Sequence, residues 1–251
     1  MSQYVFGTGQ LFATPVGGGA PLRFGALQDV SVDFNGDLKQ LFGQYQFALD
    51  TARGKTTIEW KASTGNIDIS AFNQIFFGGT VETGDELIQV FNESGTVPAM
   101  TTYTVTVTHG ADFVMDLGVY YATTGLPLKQ VPSAPTTGQY TVSTAGVYTF
   151  AVGDAGKAML FNYLYESAST GGSLEITNQL MGSTPKFQLV LSQIYEAKNF
   201  TMLLYSNTAE KLSLPLKQDD YLIGELSGQS MADEANRVAR ITTTSITGGG
   251  A

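Results

Sequence analysis

The sequence predicts a mostly β protein, a sandwich or barrel carrying one short α-helix. Three observations carry that expectation. Glycine supplies 29 of 251 residues, where about 7% is usual, and glycine serves tight turns. Threonine is abundant beside 12 Tyr and 15 Phe, residue types that fit a pleated, half-buried surface, while helix-filling Lys and Glu are scarce. Apolar residues also recur with period 2 in short runs, roughly 10–15 residues apart, with Gly, Pro, Asn or Asp between them.

Taken in order, Ala26 to Asn35 reads as a half-buried strand. Val30, Val32 and Phe34 fall on one face, and Asp29, Ser31 and Asp33 on the other. A strand is expected over 44–49. Lys55 to Ala62 repeats the alternation, with Ile58 and Trp60 inward and Thr57, Glu59 and Lys61 outward. Residues 68–79 break it. Ile69, Phe72, Ile75 and Phe76 form one helical stripe, Asp68 is placed to cap it, and Gly78 and Gly79 to stop it. The spacing predicts a short amphipathic α-helix over about 68–77. Further strands are expected at 86–91, 102–109, 113–121, 147–151, 158–165, 173–180, 187–194, 199–206 and 238–246. Residues 230–237 contain helix formers without apolar periodicity and read as a polar loop or a single turn. Pro127, Pro132 and Pro135 argue against a central strand over 126–139. The glycine tracts 17–19 and 248–250 read as loop or tail.

Composition excludes much chemistry. The chain has no cysteine, so disulfides, thiol nucleophiles and thiolate metal sites are ruled out. It has a single histidine, His109, so a multi-histidine metal site is impossible. Thirteen basic against 22 acidic residues, a net charge of −9, argue against a nucleic-acid-binding surface. No apolar run approaches the length of a membrane span. The N-terminal residues lack the basic and apolar regions of a signal peptide, so the product is expected to stay where it is made until it is released.

Motifs add little. Phe12 stands where a dinucleotide loop starting at Gly7 needs its third glycine. G-D-A-G-K-A at 153–158 fails as a phosphate loop, because Ala151 replaces the first glycine and Ala158 the magnesium-binding hydroxyl; it reads as a β-turn. Asp219-Asp220 and Asp85-Glu86 lack the further spaced oxygen ligands of a cation site. His109 precedes Gly110 at a strand end without a serine elbow anywhere, and reads as a turn histidine. Pairs of carboxylates, which could serve a glycosidase, carry no specificity among 22 acids. Trp60 reads as core. The expectation is a protein that is not an enzyme and holds no cofactor and no metal.

Three segments together resemble bacteriophage tail tube proteins. The first is A-L-Q-D-V-S-V-D-F-N-G-D-L-K-Q-L-F-G-Q-Y-Q-F-A-L-D (26–50), continuing through K-T-T-I-E-W-K-A to the helix that ends F-F-G-G. The second runs from N-Q-L-M-G (178–182) through Tyr205. The third is 212–241, where a polar A-D-x-x-N turn precedes a final strand; Asn236 stands where glycine is common, and both residue types tolerate a left-handed backbone. The resemblance covers roughly 20–92 and 178–247. It implies a tail-tube-like β core over 1–92 and 178–251, with 93–177 as a β-rich middle region that could be an inserted subdomain. Within the latter, 138–163 resembles a β-hairpin module of assorted phage virion proteins.

The resemblance implies subunits that form homo-hexameric rings stacked into the tail tube, a conduit for DNA ejection. Such a subunit contacts itself and other tail proteins at the tube ends, lets DNA pass without specific binding, does not bind a membrane, and is assembled in the bacterial host cytoplasm into the virion tail. It also implies a protruding loop over Gly36–Gly43 as the contact with a neighbouring ring, carried by Leu38, Lys39, Leu41 and Phe42, with folding back onto its own sheet as the alternative. Asp29, Asp33 and Glu59, if they share one sheet face, are the expected lining of the lumen, since acids repel phosphate; an ordinary solvent-facing sheet side is the alternative. Rival readings are a capsid decoration or head-tail joining protein, and a β-sandwich carbohydrate-binding or hydrolytic protein.

Overall fold

The computed structural model describes residues 6–66, 68–168 and 171–245, so the 248–250 glycine tract lies outside the described residues. The protein is mostly β, with several antiparallel sheets. Two compact units divide the chain: Met1–Thr80 with Leu174–Ala251, and Val81–Ser173. The expected boundary at 92/93 falls inside a strand, Glu86–Thr96, that pairs along its length with Ala158–Ser167 and so belongs wholly to the second unit.

The first unit begins with β1 (Gln10–Pro15), β2 (Leu22–Arg23), β3 (Leu27–Phe42) and β4 (Ala48–Thr64). The antiparallel pair β3–β4 sets Val30 opposite Ala62, Val32 opposite Trp60 and Phe34 opposite Ile58. Directly opposed residues share a face, so the alternation of both strands gives one apolar side and one polar side. Asp68 then caps a helix, accepting from the backbone N–H groups of Ser70 at 2.9 Å and Ala71 at 3.2 Å.

The helix is shorter and wider than its stripe predicts. Only α1 (Ile69–Phe72) is α-helical, and Asn73–Phe77 continues as a π-turn. Phe72 and Ile75 are buried, but Ile69 is exposed. The wider turn brings Asn73 inward instead, where its side chain donates to the Gly79 carbonyl at 2.8 Å and accepts from the Gly79 N–H at 2.7 Å. Gly78 closes the turn in the left-handed region, at φ +65°, which glycine adopts without steric penalty.

The second unit contains β5 (Val81–Thr83), β6 (Glu86–Thr96), β7 (Thr104–Thr106), β8 (Phe113–Tyr121), β9 (Lys129–Gln130), β10 (Gln139–Val142), β11 (Val147–Phe150), β12 (Ala158–Ser167) and β13 (Gly172–Leu174). These form a three-stranded sheet β6-β12-β8, a four-stranded sheet β7-β11-β10-β9 and a ribbon β13-β5. Only two residues of the proline-bearing stretch 126–138 are in a strand. The first two sheets enclose a core rich in aromatics: Tyr140, Tyr148 and Phe150 from one, Phe161 and Tyr163 from the other, with Tyr148 and Phe161 edge-on at 4.9 Å.

The chain returns to the first unit as β14 (Phe187–Tyr195), β15 (Lys198–Ser213), β16 (Gly224–Met231) and β17 (Ala239–Ser245). The sheet order is β2-β1-β14-β15-β16-β4-β3, and β17 pairs with the first half of β15. The sheet curls so that Val30 and Val32 share one apolar cavity wall with Leu11, Leu189 and Leu191, and Trp60 meets Phe187 edge-on at 5.7 Å. Gly228 lies opposite Trp60, and any Cβ there would strike the Trp60 ring and the Thr208 carbonyl. The strand expected over 173–180 is only Gly172–Leu174; 175–186 runs without regular structure. Before β17, the Asp233 carboxylate accepts from the N–H groups of Ala235 at 3.0 Å and Arg237 at 2.8 Å and from the Arg237 guanidinium, with Asn236 at φ +58°. Among the described residues no helix is long and apolar enough to cross a membrane.

Candidate functional site

The 36–43 segment is not a loop. β3 pairs with β4 from Leu27 to Phe42, but β16 pairs only with Ile58–Thr64 of β4. Beyond that point β3 and β4 continue as an isolated two-stranded arm with its tip at 43–47. Leu38 faces Arg53, Lys39 faces Ala52, Leu41 faces Asp50 and Phe42 faces Ala48. The physical reason lies in the sequence: the run L-K-Q-L-F has no turn-forming residue, and after Gly36, which is paired with Thr56, the next glycine is Gly43. Eight residues from Asn35 to Phe42 extend the arm roughly 25 Å, at about 3.3 Å per residue.

Every residue from Asp33 to Phe47 is exposed, and Leu38, Leu41 and Phe42 are each more than half exposed. Three apolar residues escaped the sequence reading. Tyr45 is 72% exposed and Phe47 85%, with Leu49 beside them. Their run, Y-Q-F-A-L, looks like a core strand, but the strand starts at Ala48, so Tyr45 and Phe47 cap the arm. The Lys39–Asp37 ion pair, at 2.8 Å and open to solvent, adds little stability. The ribbon thus presents an apolar surface to solvent.

Asp29, Asp33 and Glu59 do share one face of the sheet. Asp33 stands directly opposite Glu59, and Asp29 opposite Ser63, which itself opposes Glu225. Lys61 sits between Ser31 and Ser227, and Lys211 lies 3.6 Å from Glu225. The face is polar and acidic, but two lysines interrupt its carboxylates. β3 is the edge of this sheet and has no second strand partner among the described residues.

A second apolar surface lies on the outer side of β6-β12-β8. Leu160 and Leu164 of β12 point away from the core; Phe91, 73% exposed, flanks them on β6, and Met115 and Leu117 on β8. At its centre the Asn162 side chain accepts from the Asn92 N–H at 2.9 Å and donates to the Gly118 carbonyl at 3.2 Å. It thereby ties the irregularities in both neighbouring strands, where Asn92 and Gly118 have φ of +58° and +111°. No charged side chain points outward between the Ser94–Leu160–Tyr120 row and the Gln89–Leu164–Met115 row.

The ionisable groups inside the second unit are bonded for structure. His109 stacks on Tyr165 with centroids 3.8 Å apart. Glu93 accepts from the Tyr163 hydroxyl at 2.6 Å and from the Thr108 N–H at 2.8 Å. Burial works to raise the Glu93 pKa, but these bonds hold it below the ordinary value; burial and the same carboxylate push the Tyr163 phenol up to about 12. The G-D-A-G-K segment forms a 3-10 turn whose Asp154, fully buried, accepts from Lys157 at 2.7 Å, the Tyr121 hydroxyl at 2.6 Å and the Gly138 N–H at 2.9 Å. Among the described residues no three His, Asp or Glu side chains group to hold a metal.

Asp154 is expected to make the second unit acid-sensitive. Burial alone would raise its pKa, yet Lys157, Tyr121 and Gly138 hold it low. A carboxyl depressed on folding contributes stability above its unfolded pKa and loses it as pH falls through the folded value. The tyrosine near-UV signal is therefore expected to melt at progressively lower temperature below about pH 4, and Asp154→Asn to weaken that dependence. A D154N variant with the wild-type pH profile would assign the acid sensitivity elsewhere.

No protein-family model matches the chain, and no curated protein matches it.

Proposed function

We propose that this chain is a virion structural protein that assembles as hexameric rings stacked into a phage tail tube. The observation that carries the reading, beside the resemblance in sequence, is the arm. A roughly 25 Å ribbon with Leu38, Leu41, Phe42, Tyr45 and Phe47 in solvent contributes nothing to its own core. It is understandable as a segment kept for contact with another subunit, with Lys39 among the contact residues.

Two further features support it. The free edge of β3 is a strand template that ring closure between subunits would satisfy. The face of Asp29, Asp33 and Glu59 carries the charge that a DNA conduit needs, because fixed carboxylates repel phosphate and prevent sticking. On this reading Lys61 and Lys211 moderate the lumen charge, DNA passes without specific binding, and other tail proteins meet the tube at its ends.

Negative-stain microscopy of concentrated protein tests the proposal. Six-fold rings or hollow rods with a central channel are expected. Compact particles at every concentration and salt, with light scattering giving only monomer, would remove it.

A further inference from the structure

The arm and the outer face of β6-β12-β8 are both apolar and both bare in a single copy. The segments that carry them differ in net charge. Residues 35–57 carry Lys39, Arg53 and Lys55 against Asp37 and Asp50, a net +1 within a chain of −9. Residues 81–173 carry eight acids and two lysines, a net −6. Two of the acids lie at one end of the face: Glu166 pairs with Leu87 in the row before the last, and Asp112 immediately precedes β8 at that same end.

From this complementarity we infer that the arm of one copy docks across the outer face of β6-β12-β8 of a second copy. The spacing suits it. Phe47 at the arm's tip and Arg53 behind it are six residues apart; Leu160 on the face and Glu166 at its acidic end are six residues apart as well. Both intervals are roughly 20 Å in extended chain. With the tip's aromatics over Phe91, Leu117 and Leu160, Arg53, on the Leu38 face of the ribbon, reaches the carboxylates of Glu166 and Asp112. Each copy offers one arm and one face, so the contact is head-to-tail, the kind that closes rings or extends filaments. This rests only on the self-assembly in the proposed function, and names what the arm touches.

The absence of cysteine makes a direct test available. Phe47→Cys and Phe91→Cys are placed in separate full-length preparations, both at exposed positions, then mixed and oxidised. A disulfide joining 47 to 91 then lies between copies by construction. Leu216→Cys, at an exposed position elsewhere, replaces Phe91→Cys in the control mixture. The 47–91 disulfide, identified by peptide mass, is expected at more than about tenfold the control yield, as for a specific contact over random collision. A yield equal to the control overturns the inference. Independently, Phe91→Asp should weaken self-association by more than about tenfold through a buried, unpaired carboxylate, with near-UV circular dichroism unchanged. A folded F91D variant that associates like wild type also overturns it. Rods without the 47–91 disulfide refute this contact and leave the tube reading standing. The disulfide in a protein that forms neither ring nor rod keeps the contact and refutes the tube.

Discussion

Removal of the arm is expected to leave a folded protein that no longer assembles. Deleting Leu38–Arg53 joins Asp37 to Gly54 and leaves Asp37-Gly54-Lys55 as a three-residue loop between Gly36 and Thr56, which are already paired. Asp-Gly in a short hairpin loop is favourable turn chemistry. No residue of the first unit's core lies in the deleted segment, so the melting temperature should stay close to wild type. Phe42→Asp is the point version. At an exposed site it changes stability by about 0.5 kcal/mol or less. In a subunit contact the same carboxylate is buried without a partner, which costs several kcal/mol, roughly 3–5, at each interface. Rings and rods should therefore vanish by microscopy while circular dichroism keeps its β signature. An unfolded deletion variant would mean that the arm packs on its own subunit. Rods formed as before would place the contact elsewhere, for example at the bare Leu180 and Met181 of the 175–186 segment.

What the sequence could and could not convey follows from the range of the forces involved. Alternation at 26–35 and 55–62 reports burial one residue at a time, and the register of β3 with β4 follows it. Asp68 is a local cap and is legible for the same reason. The π-turn is not, because burying Asn73 depends on its bonds to Gly79 and on which residues the helix meets in the sheet. β16 reads G-E-L-S-G-Q-S-M and has no alternation of large apolar residues; it is a strand because it pairs with both β15 and β4, and Gly228 lets it pass close over Trp60. At the arm, Leu38, Leu41 and Phe42 are legible as outward-looking although the spacing suggests a loop there. Tyr45 and Phe47 are not, because an apolar run looks the same in a core strand and at an exposed tip. The outer face of β6-β12-β8 needs three strands brought together across 80 residues, Leu87 to Glu166, and no spacing in the sequence announces that.

The same distance in sequence hides a carboxylate that ties the second unit's core together. Asp116 accepts from the Tyr140 hydroxyl at 2.5 Å, the Tyr148 hydroxyl at 2.8 Å and the Gly118 N–H at 3.1 Å. Both tyrosines are buried. Burial, reinforced by the bonds to Asp116, pushes both phenols well above their usual range, so each is a protonated donor at neutral pH. Asp116→Ala strips the acceptor from two buried hydroxyls at once. Each stranded hydroxyl costs about 1–3 kcal/mol, so a loss of roughly 2–6 kcal/mol is expected, a large share of the ~5–15 kcal/mol typical of a domain. Urea denaturation followed by the near-UV signal of the tyrosines, seven of the twelve lying between 81 and 173, measures it. A loss below about 1 kcal/mol would mean that the hydroxyls find other acceptors. The combination Asp116→Ala, Tyr140→Phe, Tyr148→Phe separates bonding from packing. It removes donors and acceptor together and leaves both rings in place, so most of the lost stability should return, because deleting both partners of a buried bond is far less costly than deleting one.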